Sequence, residues 1–93
     1  MTAELTPAKR TALAWVEANA ERLSRDHMEI WNLHEPSWRE YKSAAWYVER
    51  LRAEGFEVEP GSAGMPTALC ATWENGSGGP TICCYAEYDA VVG

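Results

Sequence analysis

Apolar residues recur at three- and four-residue intervals through the first half of the chain, and then the period changes. Leu13, Val16, Ala20, Leu23, His27, Ile30 (with Trp31) and His34 mark one such series. Side chains at these spacings lie on one face of an α-helix. Thr6-Pro7 supplies its start, a hydroxyl cap followed by a proline whose missing N–H costs nothing at that position. Pro36 disfavours helical geometry at Glu35. The pattern therefore predicts helix over about 7–34, either continuous or broken near Ser24. A second helix is predicted over about 38–54, starting at Trp38 or Tyr41, with Tyr41, Ala44, Ala45, Val48 and Leu51 on one face. Gly55 follows, where a left-handed cap favours glycine.

Beyond Gly55 the alternation is that of strands. Phe56-Glu57-Val58-Glu59 alternates apolar and acidic residues and stops at Pro60-Gly61, which predicts a short half-exposed strand over 56–59. Two further strands are predicted over 67–74 and 81–88, joined across the glycine-rich stretch 75–80, where Asn75-Gly76 favours a hairpin. The layout is helices followed by a small sheet, an α/β class. Ile82, Cys83, Cys84, Tyr85 and Ala86 form a nearly continuous apolar run. Such runs suit a strand covered on both faces. The cover is not in this sequence, so the run predicts a fragment or a subunit completed by another polypeptide.

Composition narrows the class. The 93 residues make one small domain, and five tryptophans with 46% hydrophobic residues argue against disorder. Eight basic residues are dispersed among fourteen acids, for a net charge of −6. That balance lacks the basic cluster needed to neutralise phosphates, so neither nucleic acid nor an anionic membrane is an expected partner. Glu4, Lys9, Arg10 and Glu17 interrupt the apolar residues at the start, unlike a signal peptide, and no stretch approaches the ~20 apolar residues of a membrane span. A cytoplasmic location is expected. Cys70, Cys83 and Cys84 have no metal-type spacing, and adjacent strand side chains point to opposite faces, so three buried free thiols are expected.

Few residues offer chemistry. Glu87-Tyr88-Asp89 lies at the end of the apolar run, and open α/β sheets place ligands at the carboxyl ends of their strands. Residues two apart on a strand share a face, so Glu87 and Asp89 would project into one site. His27 and His34 would sit about 10.5 Å apart along a helix axis, too far to share one ion. The stretch 75–80 lacks the lysine of a phosphate loop, and Ser62 and Ser77 have no nearby histidine in the sequence. Trp31, Trp38, Trp46 and Tyr47 read as core or interface residues.

An ordered series of short motifs carries a resemblance. It comprises Glu54-Gly55-Phe56-Glu57-Val58, Gly64-Met65-Pro66-Thr67-Ala68, Gly79-Pro80, and Glu87-Tyr88-Asp89-Ala90 with Gly93. From about Ala14 onward the chain resembles the amino-terminal part of the metal-dependent amidohydrolases and carboxypeptidases of metallopeptidase clan MH. The stretch from Glu35 to Ser43, Glu-Pro-x-Trp-x-Glu-Tyr-Lys-Ser, is similar to the aminobenzoyl-glutamate hydrolase-like branch. The resemblance implies that 1–93 is the amino-terminal part of an α/β catalytic domain. The rest of that domain and an inserted dimerisation domain would lie outside this chain. Many members carry His-x-Asp where this chain has Glu87-Tyr88-Asp89, with the histidine binding metal and the aspartate orienting an imidazole ligand. Asp89 matches that aspartate. Glu87 stands at the histidine's place as a possible ligand or its neighbour, and Val92 replaces a usual proline.

The implied function is hydrolysis of an amide C–N bond in a small, aromatic substrate by metal-activated water. The divalent ion (zinc, manganese, cobalt or nickel) would be held mainly by a carboxyl-terminal partner chain, and the assembled protomer would form a homo-oligomer. An alternative within the same resemblance is an aminohydrolase of the nitroanthranilate type, which replaces an aromatic amino group with hydroxyl. An alternative of another class is a non-catalytic acidic interaction module.

Overall fold

A computed structural model describes residues 4–91, so Val92 and Gly93 lie outside the described residues. These form three helices and one two-stranded antiparallel sheet, a mixed α/β arrangement. The chain divides into two compact units, Met1–Asn32 and Leu33–Gly93.

The first unit is helical. α1 spans Pro7–Ala18, with the Thr6 hydroxyl accepting the Lys9 N–H at 3.2 Å. α2 spans Ala20–Leu33. The interruption falls at Asn19, not near Ser24. There the side-chain amide donates to the Trp15 carbonyl at 2.9 Å, a local bond that competes with regular helix geometry. Helical bonding resumes at once, since Leu23 N–H donates to the Asn19 carbonyl at 2.9 Å. No residue of α1 or α2 is buried, and Leu13, Trp15, Val16, Leu23 and Trp31 are exposed.

The second unit is built on α3, Tyr41–Ala53, rather than on a helix from residue 38. Its inner face is Ala44, Tyr47, Val48 and Leu51, which follow the i, i+3, i+4, i+7 spacing. Tyr41 and Ala45, predicted on that face, are exposed. The helix stops at a paired cap. Phe56 N–H donates to the Leu51 carbonyl and Gly55 N–H to the Arg52 carbonyl, each at 3.0 Å. This cap requires positive φ at residue 55, and Gly55 has φ 96°. Leu51 and Phe56, the residues that flank such a cap with apolar contact, are both half-buried.

The chain then enters β1, Glu57–Pro60, which pairs antiparallel with β2, Leu69–Thr72. The register sets Val58 opposite Ala71 and Pro60 opposite Leu69. Val58, Leu69 and Ala71 are half-buried, whereas Glu57, Glu59, Cys70 and Thr72 face outward. α3 packs against both strands. A 3-10 turn at Ser62–Gly64 lies between them, and the Gly61 N–H closes the loop on the Ala68 carbonyl at 2.9 Å.

The predicted third strand is not formed. Residues 81–88 join no ladder, and the hairpin expected between 67–74 and 81–88 is absent: β2 pairs with β1, and its other edge carries no strand among the described residues. The apolar run is correspondingly uncovered, with Ile82 83% and Tyr85 84% exposed. The expectation of buried thiols fails for the same reason: Cys83 and Cys84 lie on this open segment, and Cys70 is on the outer face of β2. Among the aromatics, Trp46 and Tyr47 are half-buried while Trp31 and Trp38 are exposed.

Candidate functional site

The segment bearing Glu87 and Asp89 returns to the body of the second unit only at its end. Over 87–91 burial alternates residue by residue. Glu87, Asp89 and Val91 are exposed, and Tyr88 and Ala90 are half-buried. The two carboxylates therefore share the outward side and Tyr88 points inward. On the outward side the Tyr85 hydroxyl donates to Glu87 Oε1. That bond and the charge of Glu87, with smaller contributions from burial and from the charge of Asp89, hold the Tyr85 phenol above its ordinary value of 10.0.

On the inward side the Tyr88 hydroxyl donates to the main-chain carbonyl of buried Thr67. Its ring lies 5.0 Å from the Tyr47 ring, which in turn meets Trp46 edge-on at 5.2 Å. Burial, and then the nearby charge of Glu40, raise the Tyr88 phenol above 10.0. Such a group remains a donor across the neutral range.

Ala90 provides the second attachment. Its N–H donates to the Glu35 carbonyl at 2.8 Å, and Pro36 and Ala90 form an isolated parallel bridge. Glu35 is itself held by the start of α3. Its Oε1 accepts the Ser43 N–H at 2.6 Å and its Oε2 the Lys42 N–H at 3.1 Å. The residue at the helix cap, Glu40, makes no side-chain capping bond, so Glu35 satisfies two of the orphan N–H groups from outside the helix. Burial pushes the Glu35 carboxyl up, but the Ser43 and Lys42 hydrogen bonds outweigh it and set it below its ordinary 4.5. The short connection is tight. Arg39 N–H closes a turn on the Pro36 carbonyl at 2.9 Å, and Trp38 within it has φ 71°, a left-handed conformation unusual for a bulky residue.

Two sequence stretches far apart in the chain, 35–43 and 87–90, thus meet. The histidines do not join them in a metal-binding group. His27 lies in α2 beside Trp31, with ring centroids 6.4 Å apart, and His34 is exposed just after α2. Among the described residues no three His, Cys, Asp or Glu side chains gather as metal ligands. Glu87 and Asp89 offer two carboxylates, enough to accept hydrogen bonds from a neighbouring imidazole or hydroxyl but too few to build a metal centre. Sequence reasoning missed Glu35 and Tyr88 as site residues. The signal for Tyr88 is its place between two outward acids on an alternating segment. Glu35 has a weaker one, an acid shortly before the first turn of a helix.

With that geometry in place, comparison with known proteins is informative. Over 78 residues, 84% of this chain, the sequence is 32% identical to one of the subunits of p-aminobenzoyl-glutamate hydrolase from Escherichia coli (strain K12). The chain spans 16% of that relative's length. No family model and no solved structure matches the chain. The similarity supports the aminobenzoyl-glutamate hydrolase-like branch of the resemblance. None of the described helices is long and apolar enough to cross a membrane.

Proposed function

We propose that this chain is an amino-terminal portion of the catalytic domain of a metal-dependent hydrolase of the clan MH type, which cleaves an amide C–N bond in a small aromatic substrate. The observation that carries this reading is the 32% identity over 78 residues to a p-aminobenzoyl-glutamate hydrolase subunit. The outward pair Glu87 and Asp89 gives the reading a site. The remaining ligands and the general base belong to polypeptide beyond the described residues. The open run around Ile82 and Tyr85 supports such a neighbour, because it exposes apolar surface of the kind that neighbouring strands cover.

A divalent cation bound there would supply a lowered pKa for water and polarisation of an amide carbonyl. The residues of this chain act beside it. The Asp89 carboxylate accepts the N–H of an imidazole supplied from outside the chain and so fixes its tautomer and orientation. Glu87, steadied by the Tyr85 hydroxyl, lies next to that pair, where it can accept a further hydrogen bond or complete the ligand set. Tyr88 and Ala90 hold the segment in place from behind.

The test is turnover of p-aminobenzoyl-glutamate by the intact native protein, with and without chelation. Asp89→Ala is expected to lower kcat by about tenfold or more with the protein still assembled, the usual scale for losing a group that orients a metal ligand. Turnover close to that of the unaltered protein would remove Asp89 from the mechanism. Activity that survives complete metal removal would remove the metal from it. Ammonia release from an aromatic amine, with no amide cleavage, would redirect the reading to the aminohydrolase chemistry.

A further inference from the structure

We propose that Tyr88 and Glu35 are positioning residues, a two-point clamp that sets the rotation and the depth at which Glu87 and Asp89 are presented. The proposal rests on the catalytic reading of Asp89 and adds to it the parts that place the carboxylates.

The segment needs such a clamp because no ladder holds it. Residues 81–88 make no strand pairing, so no ladder fixes the rotation of that stretch about its own axis. Tyr88 supplies the rotation. It is the inward residue between two outward ones, and its phenol is bound at the far end to the Thr67 carbonyl while its ring rests against Tyr47. A side chain held at both ring and tip cannot roll, so its neighbours at 87 and 89 stay outward. Ala90 supplies the depth through its N–H bond to the Glu35 carbonyl at 2.8 Å.

That carbonyl is useful only if residue 35 is itself fixed. Glu35 is fixed by its own side chain, which bridges the Lys42 and Ser43 N–H groups in the first turn of α3. Tyr47 belongs to the same helix, and Thr67 leads into β2, which packs on that helix. Both points of the clamp are therefore referred to α3. An error of about 1 Å in the placement of a reacting group can cost on the order of a hundredfold in rate, so a clamp of this kind acts on kcat.

The experiment uses the intact native hydrolase and compares Tyr88→Phe, Tyr88→Ala, Glu35→Gln and Asp89→Asn. Steady-state kinetics gives kcat and KM, and hydrogen exchange by mass spectrometry follows a peptide containing Ala90 and a peptide containing the β1–β2 ladder. Tyr88→Phe keeps the ring and loses the phenol, and Glu35→Gln keeps the shape and loses the charge. Each is expected to lower kcat about three- to tenfold with KM within about twofold, and Tyr88→Ala about thirtyfold or more. In all three, exchange at Ala90 rises by a clearly larger factor than exchange in the ladder peptide.

An unchanged kcat in Tyr88→Phe and Glu35→Gln, or an unchanged Ala90 exchange rate, overturns the clamp. A rise by the same factor in both peptides also overturns it, since that marks general destabilisation. Asp89→Asn separates the two ideas. If it retains turnover, the catalytic reading fails, and Ala90 exchange alone then decides whether the clamp exists. If it loses turnover while Tyr88→Phe and Glu35→Gln do not, the reading stands and the clamp falls.

Discussion

The β1–β2 pair and the 81–90 segment belong to the same compact unit, yet they are held in different ways. β1 and β2 alternate half-buried and exposed residues, pair with each other in a fixed register and pack on α3. The 81–86 stretch is more apolar than either strand, and all of it is exposed. Hydrophobicity alone therefore does not make a sheet. The alternating pair needs one covered face, and α3 provides it within the same unit. A run that is apolar on both faces needs cover on both, together with backbone partners at its edges. Among the described residues, the segment's contacts with the rest of the unit come from its last residues, which reach a carbonyl at Thr67, a ring at Tyr47 and a carbonyl at Glu35.

The sharpest way to break this contrast is to charge the open run. If the proposed neighbouring polypeptide covers the run, Ile82→Asp in the intact native protein is expected to cost on the order of 3 kcal/mol, more than a hundredfold in the assembled fraction, because it leaves an unpaired charge under that cover. Size-exclusion chromatography with mass detection measures it. An unchanged assembly would mean that this surface remains open in the native protein.

A smaller effect is expected on the other side of the contrast. Val58→Ala removes half-buried side chain from the inner face of β1 and should cost about 1 kcal/mol. Denaturant unfolding of the same native protein reads this directly, and a cost as large as that of Ile82→Asp would erase the distinction between the two regions.

The smallest effect concerns the support beneath the 87–90 segment. The folded Glu35 carboxyl lies below its ordinary 4.5, so below that value the unfolded chain binds more protons than the folded one. The stabilisation is present above the ordinary value and is lost as the pH falls through the folded one. Thermal melts between about pH 6 and about pH 3 should show the native protein losing stability faster than Glu35→Gln does. Parallel curves for the two would exclude Glu35 as an acid-sensitive support.

How much of this was legible in the sequence depends on the range of the contact. Thr6-Pro7 and Gly55 act on their immediate neighbours, so cap chemistry is enough to locate them. The break at Asn19 rests on one side-chain bond to the preceding turn, which competes with the apolar periodicity and does not show in it. The strand over 81–88 follows from composition, but pairing is decided by what lies beside a segment, and no strand among the described residues pairs with 81–88. In the candidate site, period-two alternation marks Glu87 and Asp89 as a pair. Glu35 and Tyr88 were only faintly marked, the one as an acid before a helix and the other by its place between two outward acids. Their hydrogen bonds run to main-chain groups, the Lys42 and Ser43 N–H groups and the Thr67 carbonyl, and a main-chain partner leaves no signature in its residue type.

The Tyr88 phenol reads the carbonyl of residue 67, and the Ala90 N–H reads the carbonyl of residue 35. Every amino acid carries a carbonyl, so the residue types at 67 and 35 are free of this particular demand. The spacing of the chain is not. One residue added to or removed from the loop between β1 and β2 would carry the Thr67 carbonyl away from the phenol. Surface loops commonly tolerate changes of length and not the loss of a functional side chain. In this loop the preference is inverted: its length, more than its lettering, is what the site depends on.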